Sequence, residues 1–298
     1  MKTQVPDTLK SDVPATTWGK VLTATPVAMT VIATMLAGLA SSEMTEAGYA
    51  RSLAAQQQSK AGDQWSYFQA KRLRSALQHS TLDVLINTAD VHPLNLTALE
   101  LSPASTNSAI IAALQKGEMP TAPKGRPVDS RIQTALKAVA GLKTDAEITA
   151  SVTEVDSKTL ADAVFDARTQ AYSFDETTRP VNQAVEQLEK SLAPTNRALL
   201  RDYTAARLRY TAQRYDAEAR LNQSLANLVE LQVHKSNQIA ERHRRRSQRF
   251  FFGMLAAQAA VIVSTFSLAA RKHSLLWSLA AIAGLASTGF AVWVYFYV

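Results

Sequence analysis

The sequence predicts an all-α membrane protein, and three observations lead to this prediction. Uncharged apolar runs occupy residues 250–270 and 274–298, with a weaker apolar run at 21–41. Residues 196–249 contain neither proline nor glycine, as expected of one long helix. No stretch shows the polar and apolar alternation of a strand. We therefore expect an N-terminal apolar helix, a C-terminal two-helix transmembrane hairpin, and a long antiparallel helical stalk or bundle between them.

The two C-terminal runs predict a helical hairpin. Helices of this length, at about 1.5 Å rise per residue, can cross a hydrocarbon core of about 30 Å. Only the three residues 271–273 link them, so the helices must turn back at once and pack antiparallel. Aromatic residues begin the first helix at 250–252 and end the second at 293–297, as interfacial belts do.

The first apolar segment, residues 21–41, is predicted to be an uncleaved membrane span. The alternative is a secretory signal peptide, because residues 38–40 offer a small-residue cleavage site. The preceding tail, 1–20, is long for a signal peptide and carries Asp7 and Asp12, which favours the span.

The region between the apolar segments is predicted to be helical, with one interruption. Residues 91–129 contain five prolines, which indicates a loop or linker, with a short helix at 109–116. Apolar positions in the last helix before the hairpin skip heptad sites, so an irregular bundle is favoured over a strict coiled coil. The predicted organisation is a tail at 1–20, a first transmembrane helix at 21–41, a stalk helix at 42–90, a loop or linker at 91–129, a helical head at 130–194 with helices at 158–172 and 181–192, a basic stalk helix at 195–249, and transmembrane helices at 250–270 and 274–298.

Counting along the chain predicts how the two stalk helices pair. If 21–41 spans the membrane, one helix leaves the bilayer at Ser41 and another returns to it at Arg249. Equal rise per residue then places Trp65, 24 residues beyond Ser41, opposite Leu225. We expect Trp65 to pack close to the leucines of residues 221–228.

The positive charge is concentrated in one part of the chain. The net charge is +7, and residues 195–249 account for it with eleven arginines and one lysine against five acids. No phenylalanine, tyrosine or tryptophan for base stacking lies among the arginines of residues 242–249, so nucleic-acid binding is not expected. We interpret the arginines directly before the second apolar run as an anchor to anionic lipid headgroups. They are Arg242, Arg244, Arg245, Arg246 and Arg249.

This arginine cluster also predicts topology. Lysines and arginines are enriched in cytoplasmic flanks, so the central domain and the C-terminus should be cytoplasmic. The first segment disagrees, because lysines precede it and Glu43 and Glu46 follow it, which would keep the N-terminus inside. The larger arginine cluster decides the prediction.

Residues for enzyme chemistry are not recognisable. The chain has no cysteine, so disulfides and thiolate chemistry are excluded. Its five histidines are scattered without ligand spacing, and no phosphate-binding glycine loop or nucleophile elbow occurs. We predict a non-enzymatic protein without cofactor or metal.

An aromatic group on the first stalk helix is a candidate contact site. On a helix, Trp65 and Phe68 share one face. Tyr67, Lys71 and Arg74 lie roughly on the opposite one. Aromatic residues on two faces need two partner surfaces. We favour bundle packing plus an oligomer contact, and a ligand or partner site is the alternative.

Two parts of the chain resemble a known family. Residues 63–71 (DQWSYFQAK), which follow an apolar segment, and residues 240–243 (AERH), before two spans with a basic link at 271–272, are similar to domain of unknown function 4337. The resemblance implies a bacterial membrane protein. That family has no established activity, so the resemblance supports the architecture and leaves the function open.

Two functions follow from these features. The first is a membrane-anchored scaffold or assembly protein of the bacterial inner membrane, which binds the anionic bilayer and either its own copies or a membrane-complex partner. The second is an accessory subunit or small oligomeric channel, for which a polar lining is needed. Only a few polar residues of the hairpin are available, such as Gln258, Ser264 and Thr288.

Overall fold

The computed structural model describes residues 17–95, 108–120, 125–192, 195–269 and 275–297. Their regular structure is entirely helical, without a strand, and this confirms the all-α prediction. Three of the helices are long and apolar enough to cross a membrane. The helices are α1 (Thr17–Thr88), α2 (Ser108–Lys116), α3 (Ser130–Ala140), α4 (Asp145–Thr153), α5 (Ser157–Ser191), α6 (Arg197–Ala269) and α7 (Leu275–Tyr297).

Two helices each combine an apolar segment with a polar one. α1 continues from the apolar segment 21–41 into the predicted stalk helix without a break, although Pro26 lies inside it. α6 likewise continues through the arginine cluster into the second apolar run. By contacts the chain divides into two compact units: unit 1 is Met1–Leu53 with Ser236–Val298, and unit 2 is Ala54–Lys235.

In unit 1, α1 and α6 pair antiparallel. The Ser247 hydroxyl donates to the backbone carbonyl of Ala40 at 2.7 Å. α7 runs antiparallel to α6, because the Trp277 indole donates to Thr25 early in α1, whereas Val294 packs with residues near Ala40. The link predicted at 271–273 lies outside the described residues. The buried core of this unit contains Ala33, Leu36, Ala40, Phe250, Ala257 and Val294.

In unit 2, α1 and α6 also pair antiparallel. The buried Ser75 hydroxyl donates to the Ala212 carbonyl at 2.9 Å. Ala61, one turn before Trp65, lies in the same buried cluster as Leu225 and Leu228. The register therefore agrees with the one counted from the sequence to within about one helical turn.

Short helices pack on this pair and complete two cores of unit 2. The first core brings α3, α4 and the start of α5 onto α6, with Ile132, Val152 and Leu160 buried. The second brings α2 and the end of α5 onto α6, and there the Tyr203 hydroxyl donates to the carbonyl of Val185 and the Tyr210 hydroxyl to Asn182 at 2.9 Å. Burial raises the pKa of Tyr210 to about 12, which keeps this donor protonated.

Local sequence explains where these short helices begin. Asp129 caps α3 and Asp156 caps α5, each by accepting hydrogen bonds from backbone amides of the first turn. Thr144 and Glu147 form a capping box at the start of α4. The spacing Thr-x-x-Glu in the sequence is the signal for this helix.

The head contains one helix where the sequence predicted two. The helices expected at 158–172 and 181–192 form the single helix α5, which includes Pro180. Proline removes one backbone hydrogen bond, and this cost is offset by packing, because Phe174, Thr178 and Val181 on either side of it are buried. Periodicity alone could not reveal that tertiary support.

Candidate functional site

The arginine cluster lies on α6 of unit 1, directly before the second apolar run. Its members lie within residues 242–249, about two turns of helix, so they point in different directions. Their environments consequently differ, although the sequence presents them as one group of equivalent charges.

Arg244 and Arg245 both bind Glu241 on their own helix. The Arg244 Nε and terminal nitrogen lie 2.8 Å from the two carboxylate oxygens, and the Arg245 Nε lies 3.1 Å from one of them. The hydrogen bond from Arg244, with that from Arg245, lowers the pKa of Glu241 to about 2. One carboxylate thus partly neutralises two arginines of the cluster.

Arg246 faces α1 and does not face outward. It lies 3.8 Å from the carboxylate of Glu43, whose other oxygen lies 2.6 Å from the Nδ1 of His243. The side chains of Glu43 and Arg246 are 18% and 21% exposed. This half-buried group joins the two helices and is placed to hold α1 against α6.

Arg249 packs on an aromatic ring. Its guanidinium lies 5.2 Å from the ring centre of Trp293 on α7, a cation–π distance. Arg242 is exposed, and the side chains of Arg244 and Arg245 are 40% and 65% exposed. Arg242 and Arg245 are therefore the exposed members of the cluster, whereas Arg246 and Arg249 join helices.

The aromatic group on α1 lies in unit 2. Trp65 and Phe68 share a face, as the sequence indicates, and their rings meet edge to face with centres 5.6 Å apart. Both are half-buried. Tyr67 is 57% exposed.

Lys71 faces α6, so its expected place with Tyr67 on the opposite face is wrong. It forms an ion pair with Glu218 and lies 5.3 Å from the ring centre of Tyr215. At three residues after Phe68, Lys71 is displaced by about 60° from it around the helix, so it can still reach α6. Its long side chain extends along the helix surface to the acid.

Tyr215 is the centre of a group that the sequence prediction missed. Arg214 lies 4.7 Å and Arg74 5.8 Å from its ring centre, in addition to Lys71. We call Lys71, Arg74, Arg214 and Tyr215 the tyrosine–cation cluster. The register counted from the sequence could have indicated this cluster. It places Lys71 opposite residue 219, which is one turn from Tyr215 and next to Glu218.

A second ion pair adjoins this cluster. The guanidinium of Arg72 lies 2.9 Å from the carboxylate of Asp216, which also binds Arg220. Together with the pair of Lys71 and Glu218, it matches acids on α6 to cations on α1. These contacts define the pairing of the two helices in unit 2.

Two apolar grooves lie between α1 and α6 in unit 1. The first, of about 650 Å³, is lined by Ala37, Ala40, Ser41, Met44, Ser247, Gln248, Phe251, Phe252 and Met254. The second, of about 440 Å³, is lined by Thr30, Ala33, Thr34, Ala37, Gln258, Val261 and Ile262, and we call it the glutamine groove. Across the described ranges, no three residues among histidines and acids are grouped so that they could hold a metal ion.

These features define a helical protein with three helices able to cross a membrane and a separate helical unit with its own cores. Residues 22–112 match the family described as Domain of unknown function (DUF4337). The resemblance expected from the sequence is thereby confirmed for residues 63–71, whereas residues 240–243 and 271–272 lie outside the match. No curated protein and no solved structure matches the chain.

Proposed function

We propose that the protein is a non-enzymatic, membrane-anchored helical scaffold of the bacterial inner membrane, with unit 2 in the cytoplasm. The observation that carries this proposal is the combination of three helices that are apolar enough to cross a membrane with a unit 2 that has its own buried cores. Such a chain can hold a folded surface next to a bilayer without any reacting groups.

The arginine cluster supports the orientation and a contact with anionic lipid. It lies where a charged helix becomes apolar, the position at which lysines and arginines favour the cytoplasmic side. Arg242 and Arg245 are exposed there, and each cation near an acidic surface contributes about 1 kcal/mol.

An exposed apolar surface on unit 2 supports a scaffolding role. Leu73, Leu77 and Val84 of α1 share one face of the helix and are 62%, 56% and 59% exposed. A scaffold needs such a surface for a partner or for its own copies.

The channel alternative has weaker support. A lining would need polar side chains that face a shared path, but Ser264 and Ser287 are buried within the chain and each donates to a carbonyl of its own helix. The exposed polar residues that this alternative could use are Gln258, Thr265, Ser278 and Thr288.

Two measurements on the full chain test the scaffold proposal. The protein should stay in the membrane fraction after alkaline carbonate extraction, and a reporter that is active only in the periplasm should stay silent when fused after Val298. An active reporter would overturn the cytoplasmic placement, and a chain released by carbonate would overturn membrane anchoring.

The contribution of the exposed arginines needs a matched pair of variants. Arg242→Gln with Arg245→Gln should raise periplasmic reporter activity, because it removes two of the positive charges that favour the cytoplasmic side. Arg168→Gln with Arg197→Gln removes the same charge from exposed positions in unit 2 and should leave the reporter silent. Equal reporter activity in the two double variants would remove the arginine argument.

A further inference from the structure

Gln258 places a side-chain amide deep inside an apolar segment of α6. It lies eight residues after Phe250 and eleven before Ala269, and its side chain is exposed. The amide makes no hydrogen bond to any residue that the structure describes. In the hydrocarbon of a bilayer an amide without partners is strongly unfavourable, because lipid tails offer neither donors nor acceptors.

Neighbouring threonines in the apolar segments, unlike Gln258, have hydrogen-bond partners within the chain. Thr30 and Thr34, which line the glutamine groove with Gln258, donate at 2.8 and 2.9 Å to carbonyls one turn back in α1. Four hydroxyls on α6 and α7 also donate to carbonyls of their own helices. They are Ser264, Thr265, Ser287 and Thr288.

The groove beside Gln258 is shaped for close helix contact. Its α1 wall consists of the small residues Thr30, Ala33, Thr34 and Ala37. Small side chains let helices approach closely in lipid, where packing and hydrogen bonds replace the hydrophobic effect. The opposite side of α6 is already occupied within the chain, since Ala257 and Ala260 are buried.

We propose that the glutamine groove is the interface at which two copies of this chain associate in the membrane, with the two Gln258 amides hydrogen bonded across a two-fold axis. This inference rests on the proposed function, because it requires the apolar segments to lie in a bilayer. It adds the interface and the identity of one partner, a second copy.

Geometry favours a second copy over other occupants of the groove. Copies inserted with the same orientation carry Gln258 at the same depth, so a two-fold axis along the membrane normal brings the amides together. Each amide has two donors and one acceptor, so an identical amide is its complement. A lipid chain offers no such group, and an unrelated helix would need a polar residue at this depth.

Cysteine cross-linking tests the contact directly, because the chain contains no cysteine of its own. Gln258→Cys in the full chain, oxidised in native membranes, should form a disulfide-linked homodimer. Ala256→Cys is the control, since Ala256 is exposed about 200° around the same helix. Equal cross-linking by the two variants, or cross-linking of Gln258→Cys to a different protein, would overturn the interface.

Energy transfer between labelled chains measures the role of the amide. In vesicles of phosphatidylcholine with phosphatidylglycerol, Gln258→Leu should raise the dissociation constant about tenfold, because the interhelical hydrogen bonds are lost. Ala256→Leu changes the side-chain volume at a similar depth and should change the dissociation constant less than twofold. Unchanged association in Gln258→Leu, at unchanged helix content by circular dichroism, would overturn the proposal.

Carbonate extraction separates this inference from the proposed function. A chain that is released from membranes contradicts anchoring itself. A chain that remains in the membrane but stays monomeric contradicts the interface alone.

Discussion

His243 and Glu43 meet at 2.6 Å although they are 200 residues apart in the sequence. Their contact joins α6 to α1 beside the arginine cluster, and Arg246 approaches the same carboxylate at 3.8 Å. The carboxylate of Glu43 on α1 therefore contacts both His243 and Arg246 of α6, next to the apolar segments.

Glu43→Gln should destabilise the protein. The change leaves the half-buried Arg246 without its counter-charge, and the loss of a hydrogen bond to a charged group costs about 1–3 kcal/mol. Thermal unfolding of the detergent-solubilised chain, followed by circular dichroism, measures it. Glu46→Gln is the control, because Glu46 is exposed, and should change the stability by less than about 0.5 kcal/mol. Equal effects would show that Glu43 does not hold the helices together.

Lys71→Met should cost more stability than Arg74→Met. Both changes remove a cation beside Tyr215, but only Lys71 also pairs with Glu218, whose side chain is 16% exposed. We expect a loss of about 1–3 kcal/mol for Lys71 and less than about 1 kcal/mol for Arg74, by chemical denaturation. A larger loss in Arg74→Met would mean that the ring contacts, and not the ion pair, dominate the cluster.

Glu241 should contribute to loss of stability in acid. Its pKa lies near 2 in the folded chain, below the ordinary value of 4.5, so the folded state favours the ionised form. The contribution is present above pH 4.5 and is lost as the pH falls from there toward 2. Melting temperatures measured across this range should fall less steeply for Glu241→Gln than for the unchanged chain. Parallel curves would contradict the assignment.

Trp65→Ala should destabilise unit 2 more than Tyr67→Ala. Trp65 is half-buried and packs on Phe68, whereas Tyr67 is 57% exposed. Because burial is incomplete, the expected loss for Trp65 is about 2 kcal/mol, below the 3–5 kcal/mol of a fully buried aromatic residue. The measurement is denaturant unfolding followed by helix content, and a greater loss in Tyr67→Ala would contradict it.

The architecture could be predicted because it depends on long-period features of the chain. Apolar runs without charge, together with the absence of proline from residues 43–90 and 196–249, predicted the two long helices. Equal rise per residue predicted their register near Leu225. Such features average over many residues, so no single side chain decides them.

The individual charge contacts could not be predicted in the same way. Five neighbouring arginines look equivalent in the sequence, yet Arg246 turns to Glu43 and Arg249 to Trp293. Their directions depend on residues that are 44 positions away for Arg249 and 203 positions away for Arg246. The same holds for α5, where buried neighbours support Pro180 inside a helix.

The pairing of α1 with α6 has a consequence for biosynthesis. Ser75 binds the carbonyl of Ala212, 137 residues later, and Glu43 meets His243 after 200. At about 5–20 residues per second, a ribosome needs roughly 10–40 s to deliver the partner of Glu43 after α1 has emerged. During that interval the face of α1 that packs on α6 in the folded chain has no native neighbour, so α1 acquires its packing partner only near the end of synthesis of the given sequence.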